Sequence, residues 1–184
     1  AKGYNDALKH IHNEYLVLLN SDIETPNNWI EPVVQFMEKN PKIGAAMPKI
    51  LQYEKKTHFE YAGAAGGYID QWGFPFCRGR IFNTLEEDKG QYNNIEPVFW
   101  ATGACMFVRN NAFKSLNGFD EFFFAHMEEI DLCWRMQRAG YHIYSVGESH
   151  VYHLGGGTLN KLSPRKTFLN FRNNLFLLVK NLPH

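Results

Sequence analysis

The fold is decided by the stretch YLVLLNSDIETPNNWIEPVVQFMEKNPKIGAAM, residues 15–47. Residues 15–19 form a short, continuous apolar run, which is typical of a strand covered on both faces in a parallel sheet. Thr25 and Pro26 predict the start of a helix, and its apolar face is formed by Trp29, Ile30, Val33, Val34 and Met37. Asn40-Pro41 ends this helix, and residues 43–47 form a second predicted strand. Strand, helix and strand within about thirty-five residues indicate an α/β fold.

The rest of the chain continues in short elements around one long irregular stretch. Residues 52–96 are rich in Gly, Tyr and Phe and show no helical period, so they are interpreted as a loop-rich insertion. A strand pair is predicted over 99–108, a short helix closed by Gly118, a helix over 126–139 stopped by Gly140, and strands over 141–146 and 150–154. The sequence HLGGGT then makes a turn, and residues 163–182 form a last helix beginning at Ser163-Pro164.

Composition bounds the class of protein. The 184 residues are 45% apolar and 21% charged, as expected for one globular domain rather than for a disordered chain. Nineteen basic and nineteen acidic residues give a formal net charge of zero. This balance argues against a dedicated nucleic-acid-binding protein, because such a protein needs a net basic surface.

Cysteine usage and hydropathy predict the compartment. Cys77, Cys105 and Cys133 are odd in number and far apart, so neither a disulfide scaffold nor a CxxC metal site is expected. No apolar stretch reaches the ~18 residues of a membrane-spanning helix, and no charged-then-apolar leader opens the chain. The sequence therefore predicts a soluble, intracellular single domain.

Two groups of acidic residues are candidates for chemistry. Asp22 follows a buried strand, at the sheet edge where α/β proteins bind ligands, so it could hold a divalent cation or only form a turn with Thr25. Glu128, Asp131 and Arg135 share one helical face, and Glu129 lies about a quarter-turn away. The phenylalanines at 122–124 place these carboxylates beside apolar surface. Burial there would raise the pKa of a glutamate toward the range of a general base.

His153 is a third candidate, because it ends a short strand before Gly155, Gly156 and Gly157. A histidine beside such a turn can approach a metal or a phosphate, although a lone histidine more often has a structural role. The glycines do not form a P-loop, and the chain has neither a Gly-x-Gly-x-x-Gly fingerprint nor a serine nucleophile elbow. Oxidoreductase and serine-hydrolase interpretations are therefore disfavoured.

Taken in order, the segments YLVLLNSDIE, WATGACMFVRNNAF, GFDEFFFAHMEEIDLCWRMQRAGY and VYHLGGGT resemble the family 2 glycosyltransferases of the GT-A fold. The resemblance covers essentially the whole chain. It implies an α/β, Rossmann-like mixed sheet flanked by helices. It also implies inverting transfer of a sugar from a nucleotide-sugar donor to a hydroxyl of a saccharide or lipid-linked acceptor, with Mn²⁺ or Mg²⁺ as cofactor.

The resemblance also assigns roles to residues. The triplet Asn20, Ser21 and Asp22 resembles the family's Asp-x-Asp motif, with Asn20 replacing the first acid. It therefore falls on the donor side with Arg135, and Asp22 is the metal ligand. Glu129 corresponds to the catalytic base, with Glu128 as the alternative and Asp131 orienting the site. His153 resembles a histidine that completes the metal site, and Trp100 and Gly103 match the acceptor side.

One part of the family pattern has no counterpart here, namely the amino-terminal strand and helix that grip the nucleotide. The resemblance therefore describes residues 1–184 as a single partial GT-A catalytic domain, the carboxyl-side portion of a longer protein. The expectation that follows is that this portion alone binds nucleotide weakly and is inactive.

Two other functions remain open. The rings Tyr61, Tyr68, Trp72, Phe74 and Phe76 could hold a saccharide without turnover, and the set Asp22, Glu128, Asp131 and His153 could serve a metal-dependent phosphohydrolase. The transferase is favoured over both. In the last helix, Phe168, Leu175, Leu178 and Leu182 recur among Arg165, Lys166, Arg172 and Lys180. This pattern suits packing on the sheet, which is favoured, or contact with an anionic membrane. In the second case the protein would lie at the inner, cytoplasmic face.

Overall fold

The computed structural model describes residues 1–155 and 163–182. Within these residues the helices are α1 (Lys2–Leu8), α2 (Glu31–Lys39), α3 (Asn110–Ser115), α4 (Glu128–Arg138) and α5 (Pro164–Asn181), with a 3₁₀ turn at Glu121–Phe123. The longer strands are β1 (Tyr15–Leu19), β3 (Ile43–Gln52), β9 (Cys105–Arg109) and β10 (His142–His153). The short ones are β2 (Ile23–Glu24), β4 (Gly67–Ile69), β5 (Pro75–Cys77), β6 (Arg80–Ile81), β7 (Thr84–Leu85) and β8 (Ile95–Pro97).

A mixed six-stranded sheet forms the centre of the described part. Its order is β1-β9-β3-β10-β2, and β8 pairs with β10. β3 and β10 run parallel, whereas the other pairs are antiparallel. β3 is buried along nearly its whole length, as the continuous apolar run at its start predicts. The α/β fold class, with helices flanking the sheet, is confirmed.

Helix α2 begins later than the sequence predicts. Its first residue is Glu31 and its N-cap is Ile30, so Thr25 and Pro26 lie outside the helix, before the turn at 27–28. Asn28 has a φ of +57°, a left-handed conformation that cannot continue a right-handed helix. The helix therefore starts only after this turn, and Pro32 takes the place in its first turn that had been expected for Pro26.

Two predictions about strands are wrong. The segments at 141–146 and 150–154 form one strand, β10, with an irregular register between Val146 and His150. Gly147 lies in this irregularity, where a Cβ atom would come within 1.9 Å of the Tyr92 carbonyl oxygen. The strand pair expected over 99–108 is reduced to β9 alone, because Trp100 forms only an isolated bridge to Gly67.

The insertion at 52–96 contains β4 to β8 but consists mostly of turns. It is fixed to the sheet by Lys49 of β3, whose buried ammonium contacts both Asp88 and Asn93. The helix predicted over 126–139 is α4, and Gly140 follows it with a φ of +87°. The turn predicted at HLGGGT extends into Gly156 and Gly157, which lie outside the described residues. None of the helices in the described ranges combines the length and the apolarity that crossing a bilayer requires.

Candidate active site

The amino terminus of α4 presents two adjacent carboxylates on a strained backbone. His126 and Met127 have φ values of +68° and +72°, which non-glycine residues adopt at a cost of about 1–3 kcal/mol each. Met127 is the N-cap, and Glu128 and Glu129 occupy the first turn. Strain of this kind persists only where surrounding structure imposes it, and it is concentrated at functional sites.

Both carboxylates lie in surroundings that disfavour their charge. Burial, followed by the neighbouring charge of Glu128, raises the pKa of Glu129 to about 8. Burial also raises the pKa of Glu128. The helix dipole favours negative charge at this position, so desolvation is the larger effect here. The upward direction agrees with the sequence prediction, but its cause differs in part. Of the three phenylalanines at 122–124 only Phe123 is buried, whereas Phe122 and Phe124 are exposed.

Glu129 faces a cavity of about 440 Å³ between the insertion and α5. Trp100 and Met127 line it beside Glu129. The insertion contributes a wall of rings and small residues, namely Tyr61, Ala62, Gly63, Phe74, Pro75, Phe76, Cys77 and Arg80. Helix α5 contributes Lys166, Asn170, Phe171 and Asn174. Apolar walls with a few convergent polar groups are typical of a small-molecule site.

Several polar atoms of the cavity residues are buried without a hydrogen-bond partner. They are Arg80 Nε, His126 Nε2, Glu129 Oε2 and Asn174 Oδ1. Burying a polar group unpaired costs about 1–3 kcal/mol, so these atoms are expected to contact a water molecule, an ion or a ligand. Burial, followed by the charge of Lys166, lowers the pKa of His126. The cavity therefore offers donors and acceptors to a polar ligand.

A second cluster joins the end of β10 to the loop after β1. His153 Nε2 lies 3.2 Å from Asp22 Oδ1, and His153 Nδ1 lies 3.7 Å from Glu60 Oε1. The backbone N–H of Ala62 donates to the other oxygen of Glu60 at 2.6 Å. Burial by itself lowers the pKa of His153, but Glu60 and then Asp22 outweigh this effect and leave the pKa raised.

The Asp22–His153 pair suits part of a divalent-cation site. The Asp22 carboxylate and Nε2 of the His153 imidazole converge, and Nδ1 of His153 faces Glu60. Among residues 1–155 and 163–182, no group of three or more His, Cys, Asp or Glu side chains is arranged to hold a metal. Mg²⁺ is commonly bound by one or two carboxylates and completes its shell with substrate phosphates and water, and Asp22 supplies one carboxylate of this kind.

The two clusters meet at one edge of the sheet. The backbone N–H of Asn20 donates to Ala104 O at 3.0 Å, which places the end of β1 beside the start of β9. A Cβ atom at Gly103 would lie 3.9 Å from the Glu129 side chain. On the other side, Glu60 contacts His153 and is followed directly by Tyr61, Ala62 and Gly63 of the cavity wall. The loop at 20–22, which includes Ser21, thus shares an edge with Glu129.

Asp131 and Arg135 lie apart from the cavity lining. The predicted i, i+4 pair is present, with Arg135 Nε donating to Asp131 Oδ2 at 2.8 Å. Arg135 also donates to the carbonyls of Leu116 and Gly118. Asp131 is fully buried and accepts hydrogen bonds from Lys180 and Asn181 of α5. These contacts join α4 to α5 and to the preceding loop.

The ring-rich residues divide into two groups. Tyr61, Phe74 and Phe76 line the cavity. Tyr68 stacks on Phe76 with centroids 5.6 Å apart, and its carbonyl accepts a hydrogen bond from Trp100 Nε1. Trp72 does not line the cavity and is 73% exposed. The insertion thus packs onto the body and forms a cavity wall at the same time.

Sequence reasoning missed Glu60, Arg80, His126, Lys166 and Asn174. His126 precedes the acidic pair in the sequence, and that proximity was an available signal. Glu60 and Arg80 belong to the insertion, and Lys166 and Asn174 belong to the last helix. All four lie outside the motifs and reach the site only through the tertiary fold.

Comparison with known proteins identifies the family and the fold of this chain. A family model described as "Glycosyltransferase like family 2" matches residues 1–175. The crystal structure of GalNAc-T7 with UDP, GalNAc and Mn²⁺ superposes with a TM-score of 0.68 at 15% identity, over 96% of this chain and 33% of that one. The described architecture is thus that of a GT-A fold.

Among curated proteins, the N-acetylglucosaminyl-diphospho-decaprenol L-rhamnosyltransferase of Mycobacterium tuberculosis is 27% identical over 148 residues, which is 77% of this chain and 47% of that protein. The rhamnosyltransferase WbbL of Escherichia coli is 26% identical over 141 residues, 77% of this chain and 52% of that protein. The low-salt glycan biosynthesis hexosyltransferase Agl10 of Haloferax volcanii is 25% identical over 144 residues, 77% of this chain and 42% of that protein. The chain spans about half the length of these relatives.

Proposed function

The chain belongs to the glycosyltransferase-like family 2, and from this premise we propose that it moves a sugar from a nucleotide-sugar donor to a hydroxyl of a saccharide carried on a lipid diphosphate. One observation carries the proposal: a carboxylate of raised pKa lines an apolar-walled cavity that has a few polar groups, at the edge of the sheet that also holds the Asp22–His153 pair. The names of the relatives support the sugar class and the acceptor class, since one of them acts on a diphospho-decaprenol acceptor and two are rhamnosyltransferases.

The proposed mechanism is inverting displacement with Glu129 as base. An acceptor hydroxyl in the cavity gives its proton to the Glu129 carboxylate while its oxygen forms a bond to the anomeric carbon. The bond from that carbon to the diphosphate oxygen breaks at the same time, and the electron pair leaves with the nucleoside diphosphate. A base with a pKa near the working pH is effective in this role.

Asp22 and His153 are the proposed ligands of Mn²⁺ or Mg²⁺, with Asn20 and Ser21 in the same donor-side loop. A bound divalent cation would offset the negative charge that develops on the departing diphosphate. Trp100 and Gly103 are assigned to the acceptor side, because Trp100 lines the cavity and Gly103 lies against Glu129. Asp131 and Arg135 have positioning roles through their contacts with α5 and the preceding loop.

We assign Glu60 the task of orienting His153. Metal-binding histidines commonly present their second ring nitrogen to a carboxylate, and losing that carboxylate typically weakens metal binding 10–100-fold. Glu60→Gln is therefore expected to weaken Mn²⁺ binding by about tenfold or more, measured by titration in the presence of a nucleoside diphosphate. Glu148→Gln, an exposed position on the same strand as His153, is the matched control. Equal Mn²⁺ affinity in the two variants would show that Glu60 does not support metal binding by His153.

The direct test of the function is a panel of UDP-, dTDP- and GDP-sugars, the rhamnose donor among them, with an N-acetylglucosaminyl-diphospho-lipid acceptor. Product mass and nucleotide release are followed together. A product one sugar heavier, formed from one donor, is expected. Phosphate release that ignores the acceptor would favour the phosphohydrolase. Saccharide binding with every donor inert would favour the binding module.

The panel is applied to the 184-residue chain and to any longer protein that contains it. β1 lies at the edge of the sheet in the described part, with Val17 and Leu19 partly exposed. We propose that a nucleotide-binding half extends the sheet at this edge. The 184-residue chain by itself is then expected to bind nucleotide sugars weakly and to catalyse transfer slowly. A micromolar dissociation constant for the 184-residue chain would contradict this.

A further inference from the structure

Helix α5 exposes a continuous apolar stripe. Phe168, Phe171, Leu175, Val179 and Leu182 are 47–68% exposed. At 100° per residue these positions fall within an arc of about 80°. The opposite face of the helix packs inward through Leu169, Asn173 and Leu177. A packed helix is not expected to leave five large apolar side chains in water along one line, so this face is suited to a partner.

Exposed rings from neighbouring segments extend the stripe. Phe122 lies against Phe176 of α5, with ring centroids 4.9 Å apart, and the guanidinium of Arg165 lies 5.3 Å from the Phe124 ring. On the insertion, Gly73 packs closely on Leu178, so the turn that carries the exposed Trp72 lies next to the helix. We name the four α5 residues Phe168, Phe171, Leu175 and Val179 and the C-cap residue Leu182, together with Trp72, Phe122 and Phe124, the α5 surface.

All the charged side chains of helix α5 are basic. α5 contains Arg165, Lys166, Arg172 and Lys180 and no acidic residue. Lys180 is offset by Asp120 and Asp131, and Arg172 donates to the carbonyl of Phe123. For Arg165 and Lys166, at the amino end of the helix, the structure records no ion pair with an acidic side chain among the described residues. Apolar and aromatic residues with basic neighbours characterise helices that lie in the plane of a membrane.

We propose that the α5 surface docks on an anionic lipid bilayer, with the apolar stripe in the headgroup region and Arg165 and Arg172, which flank the stripe on the helix, against acidic headgroups. Phe171 belongs to the stripe and also lines the cavity. Docking in this orientation brings the cavity mouth to the membrane. On the proposed function, this is where the saccharide of a lipid-linked acceptor is presented. The docking itself requires neither donor nor acceptor.

The test is flotation of the purified protein with vesicles, without substrates. Co-flotation is expected with vesicles of equal phosphatidylcholine and phosphatidylglycerol, and less with phosphatidylcholine alone. Replacing Phe168, Leu175 and Val179 together by Ser is expected to lower the bound fraction about tenfold or more. None of the three lines the cavity. Ile30→Ser, an exposed apolar residue at the start of α2, is the control and should bind as the unaltered protein does.

Two outcomes would overturn the proposal. One is failure to float with anionic vesicles at low ionic strength, and the other is equal flotation of the triple variant. A change of mass in solution on making the triple variant, without vesicle binding in the parent, would assign the surface to a second copy of the chain. Thermal unfolding of each variant checks that it is folded. Flotation is measured without any sugar-transfer reaction. Membrane docking can therefore fail while the proposed transferase function holds, and the transferase function can fail while docking holds.

Discussion

Glu129→Gln is expected to lower the rate of sugar transfer by about 10³-fold, because general base catalysis contributes 10²–10⁴-fold. Glutamine keeps the shape of the side chain and removes the proton acceptor. Glu129 lines the cavity that we assign to the acceptor and does not belong to the Asp22–His153 cluster, so donor affinity should stay within about threefold. The measurement is kcat with saturating donor and acceptor, together with the Kd for the nucleoside diphosphate.

Glu128→Gln is the matched control, because it makes the same chemical change one residue earlier. It removes a negative neighbour that raises the pKa of Glu129, so its rate should remain within about tenfold of the parent. If Glu128→Gln lost activity and Glu129→Gln kept it, the base would be Glu128. If both variants were as active as the parent, the site would not use a carboxylate base from α4.

Asp22→Ala is expected to lower transfer by about 10²–10³-fold and to abolish its dependence on added Mn²⁺. Charge stabilisation by a cation on a leaving diphosphate is worth several kcal/mol, and each ~1.4 kcal/mol is tenfold in rate. Asp22 and His153 converge at 3.2 Å, so removing the carboxylate leaves a single ligand. The measurement is the rate as a function of Mn²⁺ concentration.

Asp6→Ala serves as the control for the loss of a carboxylate, because Asp6 is exposed on α1 and pairs only with Lys2 and Lys9 among the ion pairs of the described residues. Its rate and Mn²⁺ dependence should match those of the parent. Full activity of Asp22→Ala, with the metal dependence intact, would place the cation elsewhere and would exclude the assigned pair.

The sequence predicted the parts of the fold that depend on local pattern. The apolar runs at 15–19 and 43–47 became β1 and part of β3, and the apolar face ending at Met37 became α2. The errors arose where one residue changed the backbone path. Asn28 has a left-handed backbone conformation, so α2 begins after it. Gly147 lies at the irregularity in the register of β10, which continues beyond it as one strand.

The site was predictable only where its residues lie in motifs. Asp22 stands out because it follows a buried strand, His153 because it ends a strand, and Glu129 because it lies in the first turn of a helix. Glu60 and Arg80 carry no such mark, because they come from an irregular insertion whose position is fixed by the buried Lys49–Asp88 contact. No local periodicity encodes that contact.

The pH dependence of kcat/KM for the acceptor tests the central claim most directly, namely that a desolvated Glu129 is the base. The base acts as the carboxylate, and burial raises its pKa to about 8. The rate should therefore rise about tenfold per pH unit below this value and level off above it. The account predicts this rise of kcat/KM with pH for the parent protein and for Asp6→Ala. A rate that is constant from pH 6 to 9, or a limb at the ordinary glutamate pKa of about 4.3, would contradict it.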